Sequence, residues 1–269
     1  QKYHRGNSYY GKFLSNIALN AVFLDSKEAY NASDSKINLM KNPLIAYAKL
    51  IDLETSYTSG ESYSLKRGTD FVDQNVNGYE KSLEEFLNGK SLFFRDSSSV
   101  GLKIYNLNPD VYNRLIFIPI KLPLKNEDIS LANVTVSDVN SSLTVYVPSY
   151  YSINNNSENL NKKLSQDFLV WLNTSDIAKN YLINELKVIP YDYKNNNFKN
   201  DSLNSFVVSY LDSNKTLNAL FKGFAQNWAD ETFAQYIKES CLTKSQWTQQ
   251  TYTEISDYGI NKYNKLKNK

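Results

Sequence analysis

The sequence predicts an α/β fold. Stretches whose apolar residues recur at helical spacing alternate with short runs rich in β-branched and aromatic residues, and proline or glycine punctuates the joins. Bulk composition agrees: of 269 residues, 41% are hydrophobic and 22% charged, the balance of a chain that buries a core.

Taken in order, Asn42-Pro43 reads as N-cap and first helical position. Leu44, Tyr47, Ala48 and Ile51 follow at i, i+3, i+4 and i+7, one buried face of a helix over 43–54. A second helix is expected over 79–88, with Leu83, Phe86 and Leu87 inward and Gly89 where a left-handed cap is wanted. Ser91-Leu92-Phe93-Phe94 then reads as a strand, as do 115–120 and 143–147, which are bounded by Pro119, Pro123 and Pro148. Leu160, Leu164, Phe168, Leu169 and Leu172 keep helical period, and Thr174 caps a following helix over 176–186 that stops before Pro190. Thr243 and Gln246 stand at capping-box spacing and open a last amphipathic helix over 244–266, with Trp247 and Ile255 toward the core. The Asn-rich stretches 154–161 and 195–201 read as exposed loops.

Charge and rare residues narrow the function. Thirty basic residues face 28 acidic ones, a net charge of +2, and no basic run forms a phosphate-tracking stripe, which argues against a nucleic-acid partner. One cysteine, Cys241, and one histidine, His4, can make neither an internal disulfide nor a Cys/His zinc site, so no metal or cofactor is expected. The acidic pairs Glu84/Glu85 and Asp230/Glu231 are adjacent on expected helices; neighbours at i, i+1 diverge and read as solvated faces rather than a hydrolase's acid and base. No apolar run approaches the roughly 20 residues that span a bilayer.

Four local patterns carry a resemblance. The stretch Leu83-Glu84-Glu85-Phe86-Leu87-Asn88-Gly89-Lys90-Ser91-Leu92-Phe93-Phe94 resembles the helix, Phe-x-x-Gly-Lys turn and strand of the family 1 extracellular solute-binding proteins of ABC transporters, the maltose-binding type. Leu115-Ile116-Phe117-Ile118-Pro119-Ile120-Lys121-Leu122-Pro123 is similar to that family's strand ending in a proline pair. Gln166-Asp167-Phe168-Leu169-Val170-Trp171-Leu172-Asn173-Thr174 is similar to its Ala-x-x-Phe-x-x-(Phe/Trp)-Leu-x-(Ser/Thr) helix, and Lys187-Val188-Ile189-Pro190 falls where it has Gly-x-(Ile/Leu)-Pro.

The resemblance implies a periplasmic-binding-protein-like clamshell of type II, of which this chain holds mainly the second lobe plus the returning segment of the first. Residues 1–143 and 204–269 would form lobe two and 144–203 the returning segment of lobe one, with hinge strands near 144 and 204. In the family several strand-helix units precede the position that Gln1 matches. The implied protein is the non-catalytic, monomeric substrate-binding component of an ABC importer. It would capture a small polar solute, a carbohydrate first, in an interlobe cleft. Its partner would be the transporter permease, and a lipid anchor upstream would hold it at the extracellular face of the membrane, or it would be periplasmic.

The same comparison nominates contacts. Trp228 matches an aromatic that faces the cleft, Tyr9 and Tyr10 lie near an aromatic pair on a lining segment, and Tyr150 follows a hinge strand. Arg95, Asp96, Ser97 and Ser99 form a loop after an expected strand, where charged and hydroxyl groups reach a ligand. Arg95 would also suit a glycerol phosphate ester through paired donors. A surface lipoprotein of the same fold acting as adhesin or antigen, and lastly a glycoside hydrolase, are the other readings.

Overall fold

The computed structural model describes residues 6–56, 67, 78–146, 151–196, 198, 201–220 and 227–268. It is mostly helical, and among the described residues the sheet is a two-stranded parallel pair, Leu143–Val145 (β1) with Thr216–Asn218 (β2), registered Leu143 to Thr216 and Val145 to Asn218. The α/β class therefore holds only coarsely. Of the three expected strands, 143–147 contributes β1. The other two, 91–94 and 115–120, have no ladder partner among the described residues and run as irregular chain. Leu92 and Phe93 are 83% and 73% exposed, and Ile116 and Ile118 point to solvent between half-buried neighbours. Their β-rich composition gives an extended backbone, but a strand needs a neighbour to pair with, and composition does not supply one.

In chain order the first helices are α1 (Asn7–Tyr10), α2 (Lys12–Asn20), α3 (Ser26–Asn31), α4 (Asp34–Asn38), α5 (Lys41–Ser56) and α6 (Gly78–Leu87). There follow α7 (Gly101–Leu107), α8 (Pro109–Tyr112), α9 (Val136–Asn140), α10 (Asn159–Thr174), α11 (Asp176–Asn184), α12 (Ser202–Asp212) and α13 (Gln249–Lys267). Two π-helical segments, Trp228–Ala234 and Ile237–Cys241, precede α13. The chain divides into two compact units, residues 1–94, 119–145 and 215–269 forming unit 1, and 95–118 and 146–214 forming unit 2.

Unit 1 is built on α5 and α13. Leu44, Tyr47, Ala48 and Ile51 are all fully buried, as their spacing predicts, and α13 adds Ile255, Ile260 and Tyr263 to the same core. Two glycines permit the approach of these elements. A Cβ on Gly259 would lie 2.9 Å from a ring carbon of Phe233, and one on Gly11 would lie 2.1 Å from the carbonyl oxygen of Ala229. The sheet is clamped by buried amides of α2: Asn16 and Asn20 each donate to Asn218 O at 3.2 Å, while Leu220 N donates to Asn16 Oδ1 at 2.5 Å. α6 ends as the sequence predicts, with Gly89 at φ +70° and Lys90 N donating to Glu85 O at 2.8 Å. α13 does not begin at Thr243. Its N-cap is Thr248, whose hydroxyl accepts from Thr251 N and whose own N–H donates to Thr251 Oγ1.

Unit 2 has a smaller core. Asn108 caps α8 with Pro109 at the first helical position, and Asp201 caps α12 through Asn204 N at 3.0 Å. Asp201 is buried and also accepts from Tyr112 OH at 2.5 Å and Asn204 Nδ2 at 3.1 Å, so its carboxylate is hydrogen-bonded out of water. Burial, then the Asp201 bond, pushes the Tyr112 phenol far up. The N-cap position of α11 is Ser175, one residue after the expected Thr174, and its side chain makes no capping hydrogen bond.

Candidate functional site

The described residues of unit 2 form an open depression of about 340 Å³, lined by Asp176, Lys179, Asn180, Ile183, Asn184, Asn195 and Asn196. Five of these come from α11 at i, i+3, i+4, i+7 and i+8, the spacing that brings residues to one helix face. The loop carrying the 3₁₀ turn Tyr193–Asn195 forms the facing wall. Ile183 is buried beneath it as an apolar floor.

An ion pair joins the two walls. Lys179 Nζ lies 2.5 Å from Asp192 Oδ2, and the two side chains are only 17% and 15% exposed. Asn196 Nδ2 adds bonds to Asp192 O at 2.9 Å and Asp192 Oδ1 at 3.3 Å. The hydrogen bond from Lys179 holds the Asp192 carboxyl below its ordinary range, and the same bond raises the Lys179 ammonium; partial burial opposes both. Both groups are thus charged and mutually engaged near neutral pH. The side chains of Asn180, Asn184 and Asn195 are exposed and make no hydrogen bond to the described residues.

The nominated residues fall elsewhere. Trp228 is a core residue, fully buried, in place of the ligand-facing position expected for it. Its ring stacks on Phe233 at 4.9 Å, meets Tyr263 edge-on at 5.4 Å, and donates its N–H to Gly259 O at 2.7 Å. Both faces and the polar edge of the indole are therefore satisfied by protein. Tyr10 is likewise fully buried, its carbonyl accepting from Tyr47 OH, and Tyr9 is half-buried, packed edge-on against it at 5.3 Å. Neither matches the expected lining role: α1 turns them into the core of unit 1 beside the π-helical segment.

Arg95, Asp96, Ser97 and Ser99 open unit 2 and lead into the 3₁₀ turn Ser98–Val100. Ser97 N donates to Asp96 Oδ1 at 2.7 Å, and the hydroxyls of Ser97 and Ser99 are 2.5 Å apart. Tyr150 lies outside the described residues, while its neighbour Tyr151 is 72% exposed. Arg95, Asp96, Ser97 and Ser99 are not among the described residues that line the depression. The residues that do line it were legible in part: Asp176, Lys179, Asn180, Ile183 and Asn184 share a face by spacing, whereas Asn195 and Asn196 stood in a stretch read only as loop.

Cys241 is buried in the core, and burial pushes its thiol up to about 11, so little thiolate exists at neutral pH. Among the described residues no cluster of His, Cys, Asp and Glu could hold a metal ion, and no helix is long and apolar enough to cross a membrane.

No protein-family model matches the chain, and no curated protein or solved structure matches it either. What fold and site define is a class: a mostly helical protein of two compact units, one of which carries an open polar depression.

Proposed function

We propose that this protein is a non-catalytic receptor for a small polar solute, acting as the substrate-binding component of an ABC importer at the outer face of the membrane. The finer architecture proposed with it is the type II clamshell. One observation carries the binding reading: the depression on α11 offers three unengaged carboxamides around an apolar floor, the few placed polar groups that small-molecule sites use. The volume of about 340 Å³ falls within the usual span of such pockets, roughly 300–1,000 Å³.

The non-catalytic part of the proposal rests on the state of the wall carboxylate. Asp192 gives one carboxylate oxygen to Lys179 at 2.5 Å and the other to Asn196 at 3.3 Å, so it is engaged by protein rather than presented to a solute as acid, base or nucleophile. The chain passes between two compact units, leaving unit 1 after residue 94 and again after β1, and returning at residue 119 and again just before β2. Isothermal calorimetry of the purified chain against neutral mono- and oligosaccharides, polyols and glycerophosphate esters tests this. Saturable binding with the solute recovered intact is the expected result. Turnover of a bound solute overturns the non-catalytic reading, and failure of every solute class to bind overturns the receptor.

A further inference from the structure

We propose that the depression on α11 is a site for a neutral, hydroxyl-rich ligand of about one sugar ring, and that it discriminates against anionic esters of the same ligand. This rests on the receptor reading above and names the substrate class of that site.

Charge decides the sign of the preference. Lys179 is the one cation among the described lining residues, and its ammonium is already committed to Asp192 at 2.5 Å. Asp176 adds a second carboxylate, so the lining together with Asp192 carries a formal charge of minus one. A phosphate ester entering here would meet a neutralised lysine and an unneutralised aspartate. Anion sites instead present free guanidinium or ammonium groups, or a helix N-terminus with its amides unobstructed. At α11 the first turn carries Asp176, whose negative charge opposes a bound anion.

The uncommitted groups point the same way. Each carboxamide offers two N–H donors and one acceptor oxygen without net charge. A sugar hydroxyl likewise both donates and accepts, so Asn180 and Asn184 on one wall and Asn195 on the other can each pair with hydroxyls on opposite edges of a ring. Ile183 beneath them suits the C–H face of that ring. A cavity of about 340 Å³ takes a single ring rather than a chain of them.

The test uses the whole purified chain, with glucose, galactose, mannose and glycerol as neutral probes and glucose 6-phosphate and inorganic phosphate as anionic ones. Side-chain amide NMR shifts report location, and titration reports affinity. The expected result is that a neutral hexose shifts the amides of Asn180, Asn184 and Asn195 and binds at least about tenfold more tightly than its phosphate ester. Asn180→Ala and Asn184→Ala, both at exposed positions and so without consequence for folding, should each weaken the hexose about three- to tenfold, the loss of one or two hydrogen bonds. Asp192→Asn, which releases Lys179, should move the preference toward the phosphate ester, with circular dichroism confirming the fold.

Equal or tighter binding of the phosphate ester by the unaltered chain overturns the charge inference. Hexose binding unaffected by both asparagine replacements overturns the site and leaves the receptor reading in place, since the solute is then bound elsewhere. Silence of all four neutral probes overturns this inference alone; the receptor reading falls only if the wider panel is silent too.

Discussion

α5 in unit 1 and α10 in unit 2 are both 16 residues long, and both carry apolar side chains at helical spacing. α5 buries Pro43, Leu44, Ala46, Tyr47, Ala48, Ile51 and Thr55, whereas α10 buries no residue. Leu160, Leu164, Phe168 and Trp171 form a stripe along α10 that is 45–66% exposed, with Phe168 stacked on Trp171 at 5.9 Å. The difference lies in what covers each face. α13 lies along α5, with Gly259 opening room for Leu44 and Phe233, and Ser256 Oγ donates to Lys41 O at 2.8 Å. α10 packs against α11 without burying a residue of its own, and Ser165 Oγ donates to Asn161 O and Thr174 Oγ1 to Val170 O, both at 2.8 Å. Periodicity therefore announces a helix and its apolar side, while the stability that side contributes depends on a neighbouring element.

The largest effect that could break this contrast is at Trp228. Trp228→Ala removes a fully buried indole with two ring partners and a hydrogen bond, and should cost about 3–5 kcal/mol of stability in urea melting. A cost under about 1 kcal/mol would mean that the site is not packed as described.

Arg67 comes next. Its guanidinium is buried and engages Asp52 Oδ1 at 2.6 Å, Thr55 Oγ1 at 2.8 Å and Lys244 O at 3.0 Å, and it lies over the Trp247 ring at 4.6 Å. Tyr252 OH also donates to Asp52. This network ties α5 to the segment before α13, and Arg67→Ala leaves Asp52 without its cationic partner. A loss of roughly 3 kcal/mol is expected, because the remaining carboxylate is only partly reached by water. Retention of full stability would show that solvent compensates the carboxylate.

Gly259→Ala sharpens the comparison by loading the α5–α13 seam. The added methyl meets Phe233 at 2.9 Å and Leu44 Cδ1 at 3.3 Å, and overpacking of this kind costs about 1–3 kcal/mol. A neutral or stabilising result would mean that Phe233 yields freely and the seam is loosely packed.

The smallest changes belong to α10. Phe168→Ser and Trp171→Ala should each alter stability by less than about 0.5 kcal/mol, while lowering the binding of a hydrophobic dye. A cost above about 2 kcal/mol for either would show that the stripe is covered in solution. The depressed Asp192 carboxyl contributes stability above its unfolded value and loses it as pH falls through the folded one; Asp192→Asn should remove that part of the acid limb in a pH-dependent melt.

Residue identity alone determined the local signals. Gly89 adopts φ +70° and ends α6 because a left-handed turn favours a residue without Cβ, and Leu44, Tyr47, Ala48 and Ile51 share a buried face because a helix repeats every 3.6 residues. These rules act within one or two turns of chain, so neighbours in sequence suffice to read them. Tertiary structure decided the rest. Among the described residues it left 91–94 and 115–120 without strands to pair with, and it placed Trp228 under Gly259 rather than at a ligand. It also brought Asn195 and Asn196 across from α11 to close the depression. Each of these depends on which distant segment arrives opposite, and that is set by the packing of whole elements rather than by the spacing of residues within one.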